Sequence, residues 1–142
     1  MTQQSITVKE ISAAAELEQA FAVRYEVFVQ GQGAPAALEV EGNESAVHFL
    51  ALLEGRPAGA GRYRQTDKGF KLERIAVLEA CRGRGVGDAL VKAMLAGLRG
   101  KGTIYLHSQL AAAGLYARNG FVQEGQQFTE ADMQHIKMVY AG

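Results

Sequence analysis

Polar and apolar positions alternate at the start of the chain, where SITVKEI (5–11) puts Ile6, Val8 and, after Lys9 and Glu10, Ile11 in the pattern of a short half-buried strand. The period then changes. Ser12 stands where an N-cap belongs, and Leu17, Phe21, Arg24/Tyr25 and Phe28 recur at helical spacing, which predicts an amphipathic helix over 13–29. QGQGAPAALEVEGNE (30–44) holds no sustained period and reads as a loop. A loop that long inside a compact domain is more often functional than idle. From His48 the pattern becomes one of strands. HFLALLE, AGAGRYRQ and FKLERIAVL (70–78) are separated by the turns Glu54-Gly55-Arg56-Pro57 and Asp67-Lys68-Gly69, which predicts an antiparallel meander. Val86, Leu90, Met94 and Leu98 mark a helix that starts near Gly85 and ends at Gly100-Lys101-Gly102. TIYLHS (103–108) is a strand, LAAAGLYARN (110–119) a short helix, and FVQEG and HIKMVY two final strands. The strand–helix–strand unit over 70–108 implies a right-handed crossover that sets those two strands parallel and adjacent.

These elements make a mixed α/β arrangement with no repeat, low-complexity tract or linker, so residues 1–142 are expected to form one domain. The chain carries 15 basic and 15 acidic residues, and this balance argues against a nucleic-acid binder, which needs a Lys/Arg surplus to neutralise phosphates. No apolar run has the length that spans a bilayer, and MTQQSITVKE lacks the basic and apolar regions of a leader, so a cytoplasmic, membrane-free protein is expected. Cys81 is the only cysteine and cannot form an internal disulfide. Three scattered histidines and Cys81 show no ligand spacing, so no metal is expected. The odd figure is 17 glycines beside 2 prolines in a chain that is 48% hydrophobic. Such a chain is not a disordered glycine-rich segment, and its glycines need a structural or chemical reason.

One reason lies in LERIAVLEACRGRGVGDALVKAML, where an apolar strand runs into Arg82-Gly83-Arg84-Gly85-Val86-Gly87 and straight on into a helix. Alternating glycines let backbone N–H groups converge at a helix N-terminus, where the helix dipole adds partial positive charge. This is an anion site suited to phosphate, with Arg82 and Arg84 adding charge. A plain strand–helix connection would not need three alternating glycines. A Walker A loop would need Gly-Lys-Ser/Thr, which does not occur. A dinucleotide fingerprint would need a third glycine where Asp88-Ala89-Leu90 offers none, and an acidic end to the next strand where Leu106-His107-Ser108 stands.

The same segment resembles the GNAT superfamily of acyl-CoA N-acyltransferases. Arg82-Gly83-Arg84-Gly85-Val86-Gly87 matches its Gln/Arg-x-x-Gly-x-Gly/Ala signature, the preceding strand ends in RIAV, and LYARNGF (115–121) matches its aromatic ahead of Gly-Phe. More narrowly the chain resembles the ElaA/YjcF-like subgroup. VRYEVFVQGQGAP, the acidic residues and histidine that follow (Glu39, Glu41, His48), LHSQ (106–109) and FTEADMQHIKM carry that likeness. Gly31, Ala36, Asp132 and Gln134 depart from the subgroup pattern on the expected acceptor side. The resemblance covers nearly the whole chain. It implies a central mixed sheet of six to seven strands flanked by three to four helices, with a splayed parallel strand pair.

What the resemblance implies for chemistry is a set of roles. Acetyl-CoA is the cosubstrate, with its pyrophosphate on the backbone N–H groups of Arg82, Gly83, Arg84, Gly85, Val86 and Gly87. Its pantetheine arm runs along Ile75, Ala76 and Val77 where the parallel strands part, in the manner of an added strand. The Val77 N–H polarises the thioester carbonyl, and Gln109 lies on the same cofactor path. Tyr116 matches the family's general acid; the other reading of this residue is a tyrosine packed beside Leu115. A phenol pKa near 10 is close to that of a leaving thiol. Homodimerisation through the antiparallel C-terminal strands also belongs to the family pattern.

For the base, strand alternation sets Lys71, Glu73, Ile75 and Val77 on one face, where a carboxylate among apolar neighbours would have a raised pKa. The other reading of Glu73 is an ion pair with Lys71 or Arg74. His135, His107 and Glu41 are further acceptor-side candidates, for catalysis or substrate binding, each weighed against a structural role. Cys81 reads as a small packing residue. The leading expectation is direct acetyl transfer to a small-molecule primary amine. A non-catalytic acyl-CoA-binding or sensor domain is one alternative. A protein-acetylating enzyme is another, and the balanced charge gives it no acidic groove for a lysine-rich tail.

Overall fold

The computed structural model describes residues 5–142, so the first four residues of the stretch read as lacking a leader fall outside it. The strands are β1 (Ile6–Ile11), β2 (Val47–Leu53), β3 (Arg56–Thr66), β4 (Gly69–Val77), β5 (Ile104–Gln109), β6 (Phe121–Gln123), β7 (Phe128–Glu130) and β8 (Met133–Tyr140). The α-helices are α1 (Ala14–Arg24), α2 (Ala36–Glu39), α3 (Val86–Leu98) and α4 (Ala113–Arg118). One sheet has the order β1-β2-β3-β4-β5-β8-β6, with β7 also paired to β8. β1 to β4 form an antiparallel meander, β4 and β5 are parallel, and β8 runs antiparallel to β5, β6 and β7.

The sheet has eight strands because β7, unforeseen, folds back on β8. Its two-residue turn is Ala131–Asp132, with φ 50° and 61°. A hairpin turn of that hand usually announces itself by Asn-Gly or Asp-Gly, and Ala-Asp carries no such signal. The long helix expected over 13–29 is α-helical only to Arg24 and continues as a π-helical turn, Tyr25–Gly31. Ser12 does not cap it. The N-cap is Ala13, with no side-chain hydrogen bond. The loop that follows contains α2 and a short 3-10 turn at Asn43–Ser45.

Two apolar clusters cover the two faces of the sheet. The larger gathers Phe49, Ala51, Leu53 and Leu72 under α3, whose Val86, Leu90, Met94 and Leu98 form its buried stripe. The smaller joins Ile11, Leu50, Ala60 and Ala76 to Ala20 and Val23 of α1. β2 is therefore buried on both sides, which is why VHFLALL is an almost continuous apolar run. Close approach of α3 depends on β3 being bare beneath it. A Cβ at Gly59 would lie 2.8 Å from Val86 Cγ1 and 3.0 Å from the Ala76 carbonyl, and one at Gly61 would collide with Met94 Cε.

Candidate active site

The site begins where the sheet opens. β4 and β5 pair only from Phe70↔Ile104 to Leu72↔Leu106, and beyond Leu72 they part. A cavity of about 560 Å³ occupies the gap, lined on the β4 side by every residue from Lys71 to Val77. The Leu78 N–H donates to Ala58 O at 2.9 Å across β3. Successive strand amides point to opposite edges, so the Val77 N–H and C=O face the open edge. Arg82 Nε donates to that Val77 carbonyl at 3.3 Å, which draws the glycine loop to the mouth of the gap.

β4 does not alternate as its sequence suggests. The β3–β4 register shifts between Ala60 and Arg62, so Gly61 stands opposite two residues of β4. Arg74 takes a left-handed φ of 55° at this bulge. Glu73 therefore pairs with Arg62 and Arg64 on the α1 side of the sheet, while Ile75 and Val77 pack in the cluster beneath α3. The expectation that Glu73, Ile75 and Val77 share a face is corrected by this one extra residue.

The expected raised pKa at Glu73 is corrected too. Burial alone would raise it, but the hydrogen bond from Arg64 and the charges of Arg62, Lys71 and Arg64 outweigh burial and hold the carboxyl at about 2. Arg64 Nε lies at 2.6 Å, Arg62 Nη2 at 3.1 Å and Lys71 Nζ at 3.4 Å. Arg62 is pushed down to about 10 by burial, and so remains charged at neutral pH. Taking a proton from an alkylammonium onto such a carboxylate is uphill by roughly 11 kcal/mol. Glu73 lines the cavity as an ion-pair anchor.

The glycine loop has the shape the sequence suggested, with one difference. Gly83 and Gly85 have φ of 78° and 88°, and Gly85 is the N-cap of α3. The first bond of the helix end runs from the Ala89 N–H to Gly85 O, which leaves the amides of Val86, Gly87 and Asp88 without an intrahelical acceptor. Gly87 serves packing instead of backbone conformation, since a Cβ there would approach Leu115 Cδ2 to 3.2 Å. Arg82 reaches the cavity; Arg84 is exposed. Tyr116, on α4, lines the same cavity with its ring edge-on to Phe121 at 6.0 Å. Desolvation alone pushes its phenol up to about 12, so it holds its proton throughout the physiological range.

At the acceptor end, His107, Glu130 and His135 line the cavity together. His107 Nδ1 is 3.1 Å from Glu130 Oε1, and His135 Nε2 is 3.8 Å from Glu130 Oε2. Gln109 also lines the cavity, and its amide donates to Gln32 Oε1 at 3.1 Å, which ties β5 to the end of the π-helical turn. Glu41 is not brought to the cavity. Its side chain is exposed, and only its carbonyl is used, accepting from Arg62 Nη2 at 2.6 Å.

Of the acidic residues in the 30–44 stretch it is Glu39 that reaches the cavity, a residue noted in the sequence for its likeness to the subgroup but given no role there. It is buried, accepts from Arg24 Nε at 2.8 Å, and lies 3.8 Å from Arg74 Nε. Arg74 also donates to the carbonyls of Glu39 and Leu38. The signal for this network was present in the chain. Arg24 falls on the apolar stripe of α1 and Arg62 inside an apolar strand, where a charge needs a partner. Tyr25, the other residue at that helical position, is 47% exposed.

Residues 4–141 match the family of acetyltransferase (GNAT) domains. Over 128 residues the chain is 37% identical to the uncharacterized N-acetyltransferase YjcF of Bacillus subtilis, covering 87% of this chain and 91% of that one. An acyl-CoA N-acyltransferase from Pseudomonas aeruginosa superposes with a TM-score of 0.81 at 27% identity, covering 97% of this chain and 99% of the other. Escherichia coli ElaA shares the fold with a TM-score of 0.82 at 22% identity, over 96% and 99% of the two chains. A splayed strand pair, a glycine loop at its mouth and a matching sequence over nearly the whole length agree: the chain belongs to the GNAT acetyltransferases and is an N-acyltransferase.

Proposed function

We propose that the protein transfers an acetyl group from acetyl-CoA directly to the primary amine of a small molecule, with Tyr116 as general acid. The observation that carries this reading is the single cavity that joins the glycine-loop arginine Arg82, the open edge of β4 and Tyr116 to the charged acceptor end. The free amides at the start of α3 and the Arg82 guanidinium suit a pyrophosphate. Ile75, Ala76 and Val77 offer an open strand edge on which an extended amide-bearing chain can pair. Acetyl-CoA supplies an activated thioester, and the Val77 N–H is the donor for its carbonyl oxygen. Tyr116 keeps a proton for the departing sulfur. The apolar surroundings that raise its pKa would raise that of a thiol leaving beside it, which keeps the transfer close to balanced. The cavity is too narrow in charge to favour a basic tail, since its lining sets Lys71, Arg74 and Arg82 against Glu39, Glu73 and Glu130. A cytoplasmic setting suits a chain whose Cys81 is a free thiol.

The experiment is release of CoA thiol from acetyl-CoA by the purified protein across a panel of primary amines. Thiol release is expected with at least one small amine, and Tyr116→Phe is expected to lower kcat by about 100-fold with acetyl-CoA binding unchanged. No release with any amine, or a Tyr116→Phe variant as fast as the parent, overturns the respective half of the reading.

A further inference from the structure

With Glu73 held as an ion-pair anchor, the proton acceptor has to be sought elsewhere, and the acceptor end of the cavity offers His107. We propose that His107 is the general base that deprotonates the amine, at Nε2, and that Glu130 is the residue that positions it. This rests on the acetyl-transfer reading above.

Glu130 comes from the β7 strand, and its Oε1 lies 3.1 Å from His107 Nδ1. A carboxylate only accepts hydrogen bonds, so the proton of the neutral ring sits on Nδ1 and the lone pair on Nε2. His107 lines the cavity in company with Val77 and Tyr116, the residues assigned to the carbonyl and the leaving group. Aromatic neighbours hold the ring, with Phe128 at 5.0 Å edge-on and Tyr105 at 6.0 Å. A base, an orienting carboxylate and a cavity shared with Val77 and Tyr116 are the parts that general-base catalysis needs.

The charged groups around it decide its protonation. Burial lowers the His107 pKa below its ordinary 6.5; the Glu130 hydrogen bond and charge raise it, while Lys71 on β4 and His135 on β8 lower it. Lys137, opposite His107 on β8, is paired to Glu124 at 3.0 Å. The net direction is down, so the ring is neutral and able to accept a proton at neutral pH.

The step balances. One N–H bond of the ammonium breaks, its electron pair stays on nitrogen, and the proton bonds to His107 Nε2, giving an imidazolium next to the Glu130 carboxylate. The amine nitrogen then bonds to the acyl carbon and the carbon–sulfur bond breaks. The sulfur leaves with the electron pair and takes the Tyr116 proton, which a second amine proton replaces. The sum is amide, thiol and one proton, released from His107 to water.

Two measurements test this. Nitrogen NMR of the histidine rings in the free protein should show His107 protonated on Nδ1 at neutral pH and should yield its pKa. With the fastest amine of the panel, log kcat/KM should break at that same pKa. His107→Asn should remove the break, lower kcat/KM at neutral pH by about 100-fold, and recover at alkaline pH as the amine loses its proton unaided. Glu130→Gln, at a half-exposed position, should move the break to lower pH and leave the KM for acetyl-CoA unchanged. A His107→Asn variant within about threefold of the parent with the break intact overturns the proposal while leaving acetyl transfer standing. A ring protonated on Nε2 does the same. A parent protein that releases no thiol overturns the acetyl-transfer reading and the base with it.

Discussion

Glu73 is buried among three cations, and that makes it a reporter of stability more than of turnover. A carboxylate whose folded pKa lies below its unfolded one adds stability above the unfolded value and surrenders it as pH falls toward the folded value. With about 2 in the fold against 4.5 ordinarily, Glu73 contributes about 3 kcal/mol that is present at neutral pH and lost between those two values. Urea denaturation at neutral pH and at successively lower pH should trace that loss. Glu73→Gln should flatten the acid dependence and lower stability at neutral pH by about 3 kcal/mol or more, because Arg62 and Arg64 lose their counter-charge. At this scale the sequence was half legible. Tyr116 and the loop arginines stand in recognisable local patterns, whereas the state of Glu73 depends on Arg62 and Arg64 in a neighbouring strand.

Among the elements, the contact between α3 and β3 bears on both fold and site. Gly59→Ala would push a Cβ against Val86 and the Ala76 carbonyl, and neither backbone nor a β-branched residue gives way easily. A loss of about 1–3 kcal/mol is expected from thermal unfolding, with a weaker affinity for acetyl-CoA if the N-terminal amides of the helix that Val86 opens bind its pyrophosphate as proposed. Gly61→Ala should cost less, as the atom it meets is the mobile end of Met94. Helix and strand types were readable where a period ran long enough, as in α3, or where an apolar run was bounded by turn signals, as in β2. The π-helical turn after α1 was not, because one extra residue per turn barely changes the spacing of apolar positions. Nor was β7, whose turn forces Ala131 to a positive φ that its residue type does not advertise.

Across the whole molecule, the balanced net charge hides a segregation. The face beneath α3 is built from apolar side chains, and the α1 side carries Arg24, Arg62, Arg64, Glu39 and Glu73 in buried or half-buried ion pairs. On the proposed function, the donor side would recognise its ligand chiefly through backbone and Arg82, and the acceptor side through charge. Arg82→Ala should raise the KM for acetyl-CoA severalfold, by about 1 kcal/mol of lost charge-assisted bonding, and should lessen the sensitivity of that KM to added salt, with kcat nearly unchanged. Equal salt sensitivity in parent and variant would remove Arg82 from the phosphate site. Fold class and the glycine loop were legible because they rest on contiguous segments. The acceptor side draws on residues from the π-helical turn, α2, β4, β5, β7 and β8, a convergence that only the folded chain displays.

The bulge at Arg74 makes β4 a strand whose parity changes partway along. Before it, the odd-numbered positions Lys71 and Glu73 look toward α1; after it, the odd-numbered Ile75 and Val77 look toward α3. Were the bulge ironed out with Arg74 kept in register, β4 would have a single parity, and Ile75, Ala76 and Val77 would all change sides. The apolar pair would then stand among the arginines and the small alanine under the helix. One residue set out of register separates a strand that serves two compartments from one that could serve neither.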